Sequence, residues 1–391
     1  MQTASSNSMR GEALRRKSKP RLFSDGKMDM PFFTLVIIIQ AVGLIMLFSA
    51  SYAYAYTNYG NSYQFISRQA IFAAIGVTFM LLISKLDYHI FRHFAWIVYF
   101  VSIVMLIVVL ILPPINPALA VKRWLGFGSF TFQPSEVAKF AVILLFAHLI
   151  SINYKQMEKF KFGILFFGVL LGFVCVLVIA ERHLSATILL FCIGVCLMVV
   201  GGVKIAHVVA CGLVGVAGVA IAIISGVIGY GADRIKYWLD PWSAAGGEGW
   251  QTIQSLLSIG SGGLFGRGIG QSRQKYLWVP EPHNDFIFSI VAEEVGLIGS
   301  LLIIALFCML VWRGFVIAMR SKDKFGCLLA VGFTFQVGLQ AALNIMVVTN
   351  TIPNTGISLP FFSYGGTALV MLLCEMGVVL SVSRSANMVK T

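Results

Sequence analysis

The chain has 391 residues, of which 58% are hydrophobic and 12% charged, whereas a soluble globular domain carries about a quarter charged residues. This composition excludes a soluble protein, and the apolar residues fall in blocks of roughly 20, the length of a membrane-crossing helix. The net charge of +13 would suit a nucleic-acid-binding protein, but the basic residues concentrate in alternate loops, as the positive-inside rule predicts for a membrane protein. We therefore expect a polytopic membrane protein that does not bind nucleic acid.

Ten membrane spans are predicted along the chain, and together they make an all-α polytopic fold. They comprise residues 31–53, 67–84, 94–112, 136–152, 163–180, 185–203, 207–229, 285–312, 325–349 and 366–383. Residues 1–30 are polar and basic and are expected to form a disordered cytoplasmic tail, while residues 385–391 form a second, short cytoplasmic tail. When the N-terminus is assigned to the cytoplasm, most of the 29 basic residues fall in cytoplasmic segments, so both termini are predicted to lie inside. Residues 31–384 are predicted to form one membrane domain.

Three loops on the predicted outer face differ in composition from the rest of the chain. They run through residues 113–135, 230–284 and 350–365, and the second, between spans seven and eight, is by far the longest. Large aromatic residues and interleaved glycines suit segments that lie in the membrane interface or fold back into the protein, where non-helical backbone is tolerated. The glycine run 258–270 follows no strand and lacks a GK[ST] ending, so it is not a nucleotide-binding P-loop. We therefore expect the functional surface to face outward.

Several ionisable residues lie within the predicted spans, where charge is costly and is a functional candidate by default. Glu136 opens span four with Lys139 at i+3, close enough to pair, while Glu293, Glu294 and Glu375 lie in spans eight and ten. A structural ion pair accounts for the first two residues, and helix–helix hydrogen bonds account for the three glutamates. The structural and the functional interpretations both remain open for this group.

Asp285 differs from these residues because it stands at the outer start of span eight, preceded by His283 and Asn284. A carboxylate at the boundary between water and lipid reaches a lipid headgroup while it is partly desolvated. Desolvation raises the pKa of a carboxyl group toward the value that suits a general base. Asp285 is therefore the leading candidate for a catalytic residue.

Four stretches together resemble the SEDS family (shape, elongation, division and sporulation), whose members include FtsW, RodA and SpoVE. They are KRWLGFGSFTFQPSEVAKFA (122–141), WLDPW (238–242), the run 249–299 that contains QSRQKY and VPEPHNDFIF, and NTGISLPFFSYGGTALV (354–370). They occupy all three outer loops in order on a ten-span frame, so the resemblance extends over the whole membrane domain. The QSRQKY stretch is more similar to the FtsW/SpoVE branch than to RodA.

The resemblance implies a peptidoglycan glycosyltransferase that polymerises lipid II on the outer face of the bacterial cytoplasmic membrane. The family's essential aspartate falls on Asp285, which is expected to act as the general base when the acceptor's GlcNAc 4-hydroxyl attacks C1 of the donor MurNAc. Undecaprenyl diphosphate leaves, with inversion at C1. The resemblance also implies a divalent cation (Mg²⁺ or Mn²⁺), whose ligands the sequence does not identify. Its implied partners are a class B penicillin-binding protein and other division or elongation proteins.

Cations are needed to compensate the charge of the leaving diphosphate, and the outer loops supply several. The candidates for this role are Lys122, Arg123, Lys139, Arg273 and Lys275. The supporting candidates around the base are Glu136, Trp124, His283 and Glu293. The chain departs from the family at residues 181–187, ERHLSAT, where a P-D-x-G-T-like stretch is usual and His183 takes the aspartate position, so we assign His183 no role.

Two other functions use the same features. A flippase for lipid-linked precursors would need a charged bundle and basic loops, but such transporters have helices broken near the membrane midplane and often an inverted repeat. A non-enzymatic division scaffold would tolerate replacement of Asp285. We find no clear repeat, and the unusual residues concentrate on one face, which favours the polymerase.

Overall fold

The computed structural model describes residues 23, 26–113, 122–127, 130–213, 236–247, 249–276 and 278–386. Nearly all of the predicted N-terminal tail, the end of the chain after residue 386 and most of the predicted seventh span lie outside the described residues. Within the described residues, eight helices are long and apolar enough to cross a membrane, and Leu184–Val200 is a shorter apolar helix. The prediction of an all-α polytopic membrane protein is confirmed.

The labelled elements are ten helices and two short strands. The helices are α1 Met30–Tyr59, α2 Gln64–Lys85, α3 Phe91–Ile111, α4 Pro134–Asn153, α5 Phe167–Ala180, α6 Leu184–Val200, α7 Trp250–Gly262, α8 Ile287–Met319, α9 Lys324–Val348 and α10 Gly366–Ser385. The strands are β1 Leu125–Phe127 and β2 Phe130–Phe132, which pair antiparallel just before α4. Short 3₁₀ turns (Tyr88–Ile90, Tyr154–Gln156, Pro241–Ala244) and a π-helical turn (Lys161–Phe166) flank the helices, and residues 205–213 are also helical.

The first helix has strong signals at both of its ends. Asp29 caps α1 by accepting a hydrogen bond from the Phe32 amide at 2.9 Å, and Pro31 occupies the first turn, where its missing N–H is not needed. Gly60 ends the helix with φ 68°, a left-handed conformation that glycine adopts without a steric penalty. Asp29 also accepts hydrogen bonds from Arg313 in α8 at 2.8–3.2 Å, so the cap fixes α1 against a distant helix.

The helices divide into a central group and a peripheral group. About two thirds of the apolar stretch of α4, α9 and α10 is buried inside the protein (61%, 67% and 67%), compared with 22% for α2, so the first three form the centre of the bundle. Close contact between α2 and α10 depends on Gly377, where an added Cβ would lie 2.8 Å from the Met80 carbonyl oxygen. Small residues at such a crossing let two membrane helices pack backbone to backbone.

The long helix α8 is interrupted at Gly296, which has φ 68° and ψ −171°. The break leaves backbone groups of α8 without helical hydrogen bonds, and the glycine-rich segment 263–268 supplies their partners. The Leu297 amide donates to the Gly263 carbonyl at 2.9 Å, and the Arg267 amide donates to the Glu293 carbonyl at 3.0 Å. Non-helical backbone at a membrane helix is tolerated where the protein satisfies its polar groups in this way.

The position of the break follows from helix lengths. The part of α8 after Gly296, residues 297–319, extends roughly 34 Å at 1.5 Å per residue. This length exceeds the hydrocarbon thickness of about 30 Å, so residues 297–319 can cross the membrane without the part that precedes the break. The break, the docked glycine-rich segment and the start of α8 with Asp285 therefore lie together near one end of the crossing.

Candidate active site

Asp285 lies in the turn immediately before α8, and the backbone of this turn is anchored from outside. Three successive carbonyls, those of His283, Asn284 and Asp285, accept hydrogen bonds from the Tyr364 amide (2.9 Å), the Ser363 hydroxyl (2.9 Å) and the Asn344 side chain (2.7 Å), respectively. The donors come from α9 and from the loop before α10. Asp285 is thus held by elements distant in sequence, as expected for a functional group on a non-helical segment.

A cavity of about 750 Å³ opens beside this turn. Its ionisable lining residues are Arg68, Arg123, Glu136, Lys139, His183, Glu281, His283 and Asp285. Its aromatic lining residues are Tyr54, Tyr59, Phe65, Phe72, Trp124, Phe361 and Tyr364. Its aliphatic lining residues come mainly from α6 and α10 and include Leu189, Leu369 and Leu372. The cavity therefore combines charged groups with an apolar surface, which suits an amphipathic ligand.

The carboxyl group of Asp285 is partly buried and faces this cavity. Burial and, to a smaller extent, the negative charge of Glu281 raise the pKa of Asp285, Arg123 lowers it, and the net result is a pKa of about 6. The backbone of Gly356, with φ +71°, packs so closely that an added Cβ would lie 3.2 Å from Asp285 Oδ2. A carboxyl group with this pKa is ionised at neutral pH yet is more basic than an ordinary aspartate.

Lys139 provides a buried positive charge in the cavity wall. Its side chain is 2% exposed, its Nζ atom lies 2.8 Å from Glu136 Oε2, and it donates to Gln340 Oε1 at 3.3 Å. The structure therefore shows the Glu136–Lys139 pair that the i+3 spacing suggested. Because both residues also line the cavity with Asp285, structural pairing and contact with a ligand are compatible here.

A short β-hairpin brings Arg123 and Trp124 into the lining of the cavity. Both residues immediately precede β1, and the Thr367 hydroxyl of α10 donates to the Thr131 carbonyl of β2 at 3.0 Å. The guanidinium of Arg123 donates to the Arg182 carbonyl between α5 and α6. Lys122 turns away from the cavity, because its Nζ atom donates to the Leu110 carbonyl at 2.9 Å. Arg123 is therefore the cation of this segment that lines the site.

The departure from the family at residues 181–187 places a neutral group in the cavity wall. His183 is buried beside Gln133, with 3.3 Å between Gln133 Nε2 and His183 Nδ1, and burial lowers the pKa of His183 to about 3. Burial also raises the pKa of Glu181 to about 8, and its carboxyl oxygens have no hydrogen-bond partner within the described residues. Both groups are predominantly neutral at pH 7.

His283 is a packing residue of the site turn. Its ring lies between Phe65 and Tyr54, with centroid distances of 4.2 Å and 4.9 Å, and burial lowers the pKa of His283 to about 4. A neutral imidazole packed in a tilted arrangement against these two aromatic rings fixes the turn against α1 and α2. His283 therefore supports Asp285 from the side of the cavity that faces these helices.

The remaining candidates, Arg273, Lys275 and Glu293, lie outside the cavity. Lys275 is 2% exposed, and its Nζ atom lies 3.1 Å from Glu294 Oε1 and 2.7 Å from the Gly270 carbonyl. Glu293 accepts from the Ser272 hydroxyl at 2.5 Å and from the Arg273 amide at 3.0 Å. These contacts hold the glycine-rich segment on α8. In the structure, Lys275 forms a buried ion pair with Glu294, and Glu293 accepts hydrogen bonds from the loop.

Three residues near the site were not identified from sequence: Arg68, Gln340 and Asn344. Arg68 and Gln340 line the cavity, and Asn344 bonds the Asp285 backbone. A signal was present in α9, where Gln336, Gln340 and Asn344 recur every four residues and form a polar stripe on an otherwise apolar span. Arg68 carries no comparable signal, because it lies in an exposed helix end.

No group of three or more His, Cys, Asp or Glu side chains that could hold a metal ion occurs within the described residues. Asp285 and Glu281 are the two carboxylates of the site turn that line the cavity. A closed metal site made of protein ligands alone therefore does not fit the described part of this cavity.

Known proteins similar to this chain match almost its whole length. A sequence profile of the FtsW/RodA/SpoVE family, described as cell cycle protein, matches residues 29–388. Stage V sporulation protein E of Bacillus subtilis (strain 168) is 39% identical over 360 residues, which are 91% of this chain and 97% of that protein. A probable peptidoglycan glycosyltransferase FtsW of Geobacter sp. (strain M18) is 34% identical over 91% of this chain and 96% of its own.

Solved structures give the same result. A chain of the structure reported as "Structural coordination of polymerization and crosslinking by a peptidoglycan synthase complex" is 25% identical with a TM-score of 0.75, over 91% of this chain and 98% of its own. The rod shape determining protein RodA of Thermus thermophilus is 26% identical with a TM-score of 0.66, over 92% and 98% of the two chains. The family resemblance predicted from sequence is confirmed, and this chain belongs to the FtsW/RodA/SpoVE family of multi-pass membrane proteins.

Proposed function

We propose that this protein is a peptidoglycan glycosyltransferase that polymerises lipid II on the outer face of the cytoplasmic membrane, with Asp285 as its general base. The observation that carries the proposal is a single cavity that Asp285, Arg123 and Lys139 line together. Relatives named as peptidoglycan glycosyltransferases support the class of reaction. The mixed charged and apolar lining supports a lipid-linked sugar as the substrate.

Asp285 acts on the acceptor. A sugar hydroxyl is a weak nucleophile, and a positioned general base accelerates its attack by roughly 10²–10⁴-fold. Asp285 removes the proton of the GlcNAc 4-hydroxyl while that oxygen bonds to C1 of the donor MurNAc. The bond from C1 to the diphosphate oxygen breaks with inversion, and its electron pair leaves on undecaprenyl diphosphate. A pKa of about 6 keeps Asp285 ionised at neutral pH for this step.

Arg123 and Lys139 act on the leaving group. Charge accumulates on the diphosphate as the glycosidic bond breaks, and fixed cations in a partly desolvated cavity stabilise that charge more strongly than in water. Arg123 offers a planar set of donors that matches phosphate oxygens, whereas Lys139 acts as a point charge whose position Glu136 fixes at 2.8 Å. Arg68 adds a third cation at the cavity lining.

The proposal includes a divalent cation, Mg²⁺ or Mn²⁺, only as added positive charge at the diphosphate. Since the described residues provide no closed ligand set, such an ion would take most of its ligands from the diphosphate and from water. When bound, it would add positive charge at the diphosphate. The roles given to Asp285, Arg123 and Lys139 do not depend on it.

The apolar part of the cavity lining suits the prenyl chain of the donor. It includes Phe72 of α2, Leu189 of α6, and Leu369 and Leu372 of α10. Burying apolar chain against such a surface contributes roughly 25 cal/mol per Å² and holds the lipid while the sugar reacts. The aromatic residues nearer the opening, among them Trp124, suit stacking on sugar rings.

The expected partner is a class B penicillin-binding protein, which would crosslink the strand that this protein polymerises. A structural relative belongs to a peptidoglycan synthase complex, which supports a synthase assembly of this kind. Similarity to stage V sporulation protein E and to FtsW supports a place in division or sporulation. Other division or elongation proteins would join the same assembly.

A flippase and a scaffold are less well supported. The break in α8 lies near one end of the crossing, whereas transporters place broken helices near the midplane. A scaffold would have no use for a cavity that brings Asp285, Arg123 and Lys139 together. Neither alternative is favoured by a relative's name.

The test is glycan-strand polymerisation from purified lipid II, with the protein purified together with its cognate class B transpeptidase and a divalent cation. Asp285→Asn is compared with Glu158→Gln, the same change of carboxylate to amide at an exposed loop residue outside the cavity. We expect polymer from the wild type and from Glu158→Gln, and none above background from a folded Asp285→Asn. Polymer from Asp285→Asn at the wild-type rate would remove Asp285 from the mechanism. Lipid translocation without polymerisation by the wild type would favour the flippase.

A further inference from the structure

One buried amide connects Asp285 to the centre of the bundle. Asn344 lies in α9, one of the three most buried helices, and its side chain is 0% exposed. Its Nδ2 atom donates to the Asp285 carbonyl at 2.7 Å and to the Ile357 carbonyl at 2.6 Å. A carboxamide nitrogen carries two N–H groups, so each carbonyl receives one of them.

The orientation of this amide follows from its neighbours. Both atoms that face Nδ2 are carbonyl oxygens, which only accept hydrogen bonds, so the opposite orientation of Asn344 would place three oxygens together. The Oδ1 atom has no hydrogen-bond partner within the described residues. The side chain of Asn344 therefore acts as a donor of two hydrogen bonds.

The two carbonyls held by Asn344 belong to the two segments that meet at the Asp285 carboxyl group. One belongs to Asp285 itself. The other belongs to Ile357, the neighbour of Gly356, whose backbone packs against Asp285 Oδ2. The other two anchors of the site turn, Tyr364 and Ser363, come from a loop, whereas Asn344 comes from a helix inside the bundle.

We propose that Asn344 is the positioning residue of Asp285: its carboxamide fixes both the backbone that carries the catalytic carboxyl group and the segment on which that group rests. The inference rests on the proposed function, because it assigns Asn344 to the geometry of the general base. Arg123 is held by the Arg182 carbonyl, and Lys139 is held by Glu136 of α4 as well as by Gln340 of α9. Neither cation bonds Asn344, so the loss of its amide acts first on the base.

Loss of the double donor is expected to act on turnover. Displacement of a reacting group by about 1 Å costs up to 100-fold in rate, whereas binding of lipid II depends mainly on the cations and the apolar walls. Asn344→Leu keeps the approximate shape and removes both donors. Asn344→Asp keeps the size and leaves at least one of the two carbonyls without a donor. Gln336→Met is the control, since Gln336 is a buried amide in the same helix outside the cavity lining.

The experiment measures kcat, KM and the pH dependence of kcat for lipid II polymerisation, with the thermal midpoint of each protein. We expect both Asn344 variants to lose about 10–100-fold in kcat with KM within threefold of the wild type. A loosened turn hydrates the carboxyl group, so the acid limb of kcat moves to lower pH in these variants and not in Gln336→Met. Two charged groups affect the pKa of Asp285, namely Glu281 and Arg123, and neither is changed in these variants. The other titratable residues of the cavity lining, Glu136, Lys139 and His183, are also unchanged.

Two outcomes overturn the inference. A kcat within twofold of the wild type in Asn344→Leu or Asn344→Asp shows that the base does not need the amide. A kcat loss with an unmoved acid limb and a fall in thermal midpoint equal to that of Gln336→Met shows a structural residue only. Should Asn344→Leu not fold, Asn344→Asp alone decides between these results. A wild type that makes no polymer removes the proposed function itself, which separates that failure from the failure of the inference.

Discussion

Asp285, in the turn before α8, and the pair Glu293 and Glu294, in the first turns of α8, have opposite surroundings. Glu293 and Glu294 are closed off: Ser49 donates to Glu294 at 2.6 Å, Lys275 pairs with it at 3.1 Å, and Glu293 binds the Ser272 hydroxyl and nearby amides. The carboxyl oxygens of Asp285 have no hydrogen-bond partner within the described residues, and they face a cavity.

The comparison separates structural charge from functional charge. A buried carboxylate whose acceptor sites are filled by the protein has no capacity left for a substrate, and its contribution is to hold a loop. A carboxylate with an anchored backbone and an open side chain keeps that capacity. Proximity to the membrane is common to both groups, so location alone does not identify the base.

Replacing Asp285 should produce the largest change in activity. Asp285→Asn removes the base and keeps the size of the side chain, so we expect polymerisation to fall by roughly 10²–10⁴-fold. Thermal stability should stay near that of the wild type, because no hydrogen bond from the described residues to the carboxyl group is lost. A large fall in the scanning-fluorimetry midpoint of Asp285→Asn would show that Asp285 is a structural carboxylate like Glu293 and Glu294, and would contradict this comparison.

Replacing Lys275, one partner of the buried Lys275–Glu294 pair, should lower stability and leave activity nearly unchanged. Lys275→Met leaves Glu294 uncompensated, which costs about 3–5 kcal/mol of folding free energy for a buried pair. Activity per folded molecule should remain within a few-fold of the wild type, since Lys275 lies outside the cavity. The double variant Lys275→Met with Glu294→Gln should recover part of the lost stability. A selective loss of turnover with intact stability would return Lys275 to the diphosphate site.

A smaller effect is expected where the backbone meets the base. Gly356→Ala adds a methyl group 3.2 Å from Asp285 Oδ2 at a residue with φ +71°, so both the neighbouring carboxyl group and the alanine backbone are strained. We expect kcat to fall by about tenfold, within the range for displacement of a reacting group, with little change in KM. Gly60→Ala, also at positive φ but with open space around it, is the control. Equal effects of the two changes would argue against a specific contact with Asp285.

The smallest effect concerns the charge beside the base. Glu281 raises the pKa of Asp285, so Glu281→Gln should lower that pKa and move the acid limb of the rate profile to lower pH. The rate should therefore increase below pH 6 and stay nearly unchanged at pH 8. A shift to higher pH would show that Glu281 does not act on Asp285 through its charge.

The sequence predicted the parts of this molecule that depend on local patterns. Apolar blocks gave the spans, because a membrane helix satisfies its own backbone, and the position of Asp285 at the end of a span marked it as unusual. Asn344 was not identified from the sequence, and the ion pair of Lys275 with Glu294 was not anticipated, because the partners of these residues lie in distant segments. Contacts of this kind are set by tertiary packing and leave no local pattern. The break at Gly296 was also not predicted, because a glycine within an apolar helix is common and does not by itself indicate a break.

The pH dependence of kcat/KM for lipid II polymerisation tests the central claim most directly, because it reports the ionisation of the catalytic base in the free protein. Asp285 must be ionised to accept a proton, so the rate is expected to fall as the pH drops, with a half-maximal value near pH 6. Glu281→Gln should move that point downward. A rate that stays constant from pH 5 to pH 7.5 would contradict the assignment of Asp285 as the general base.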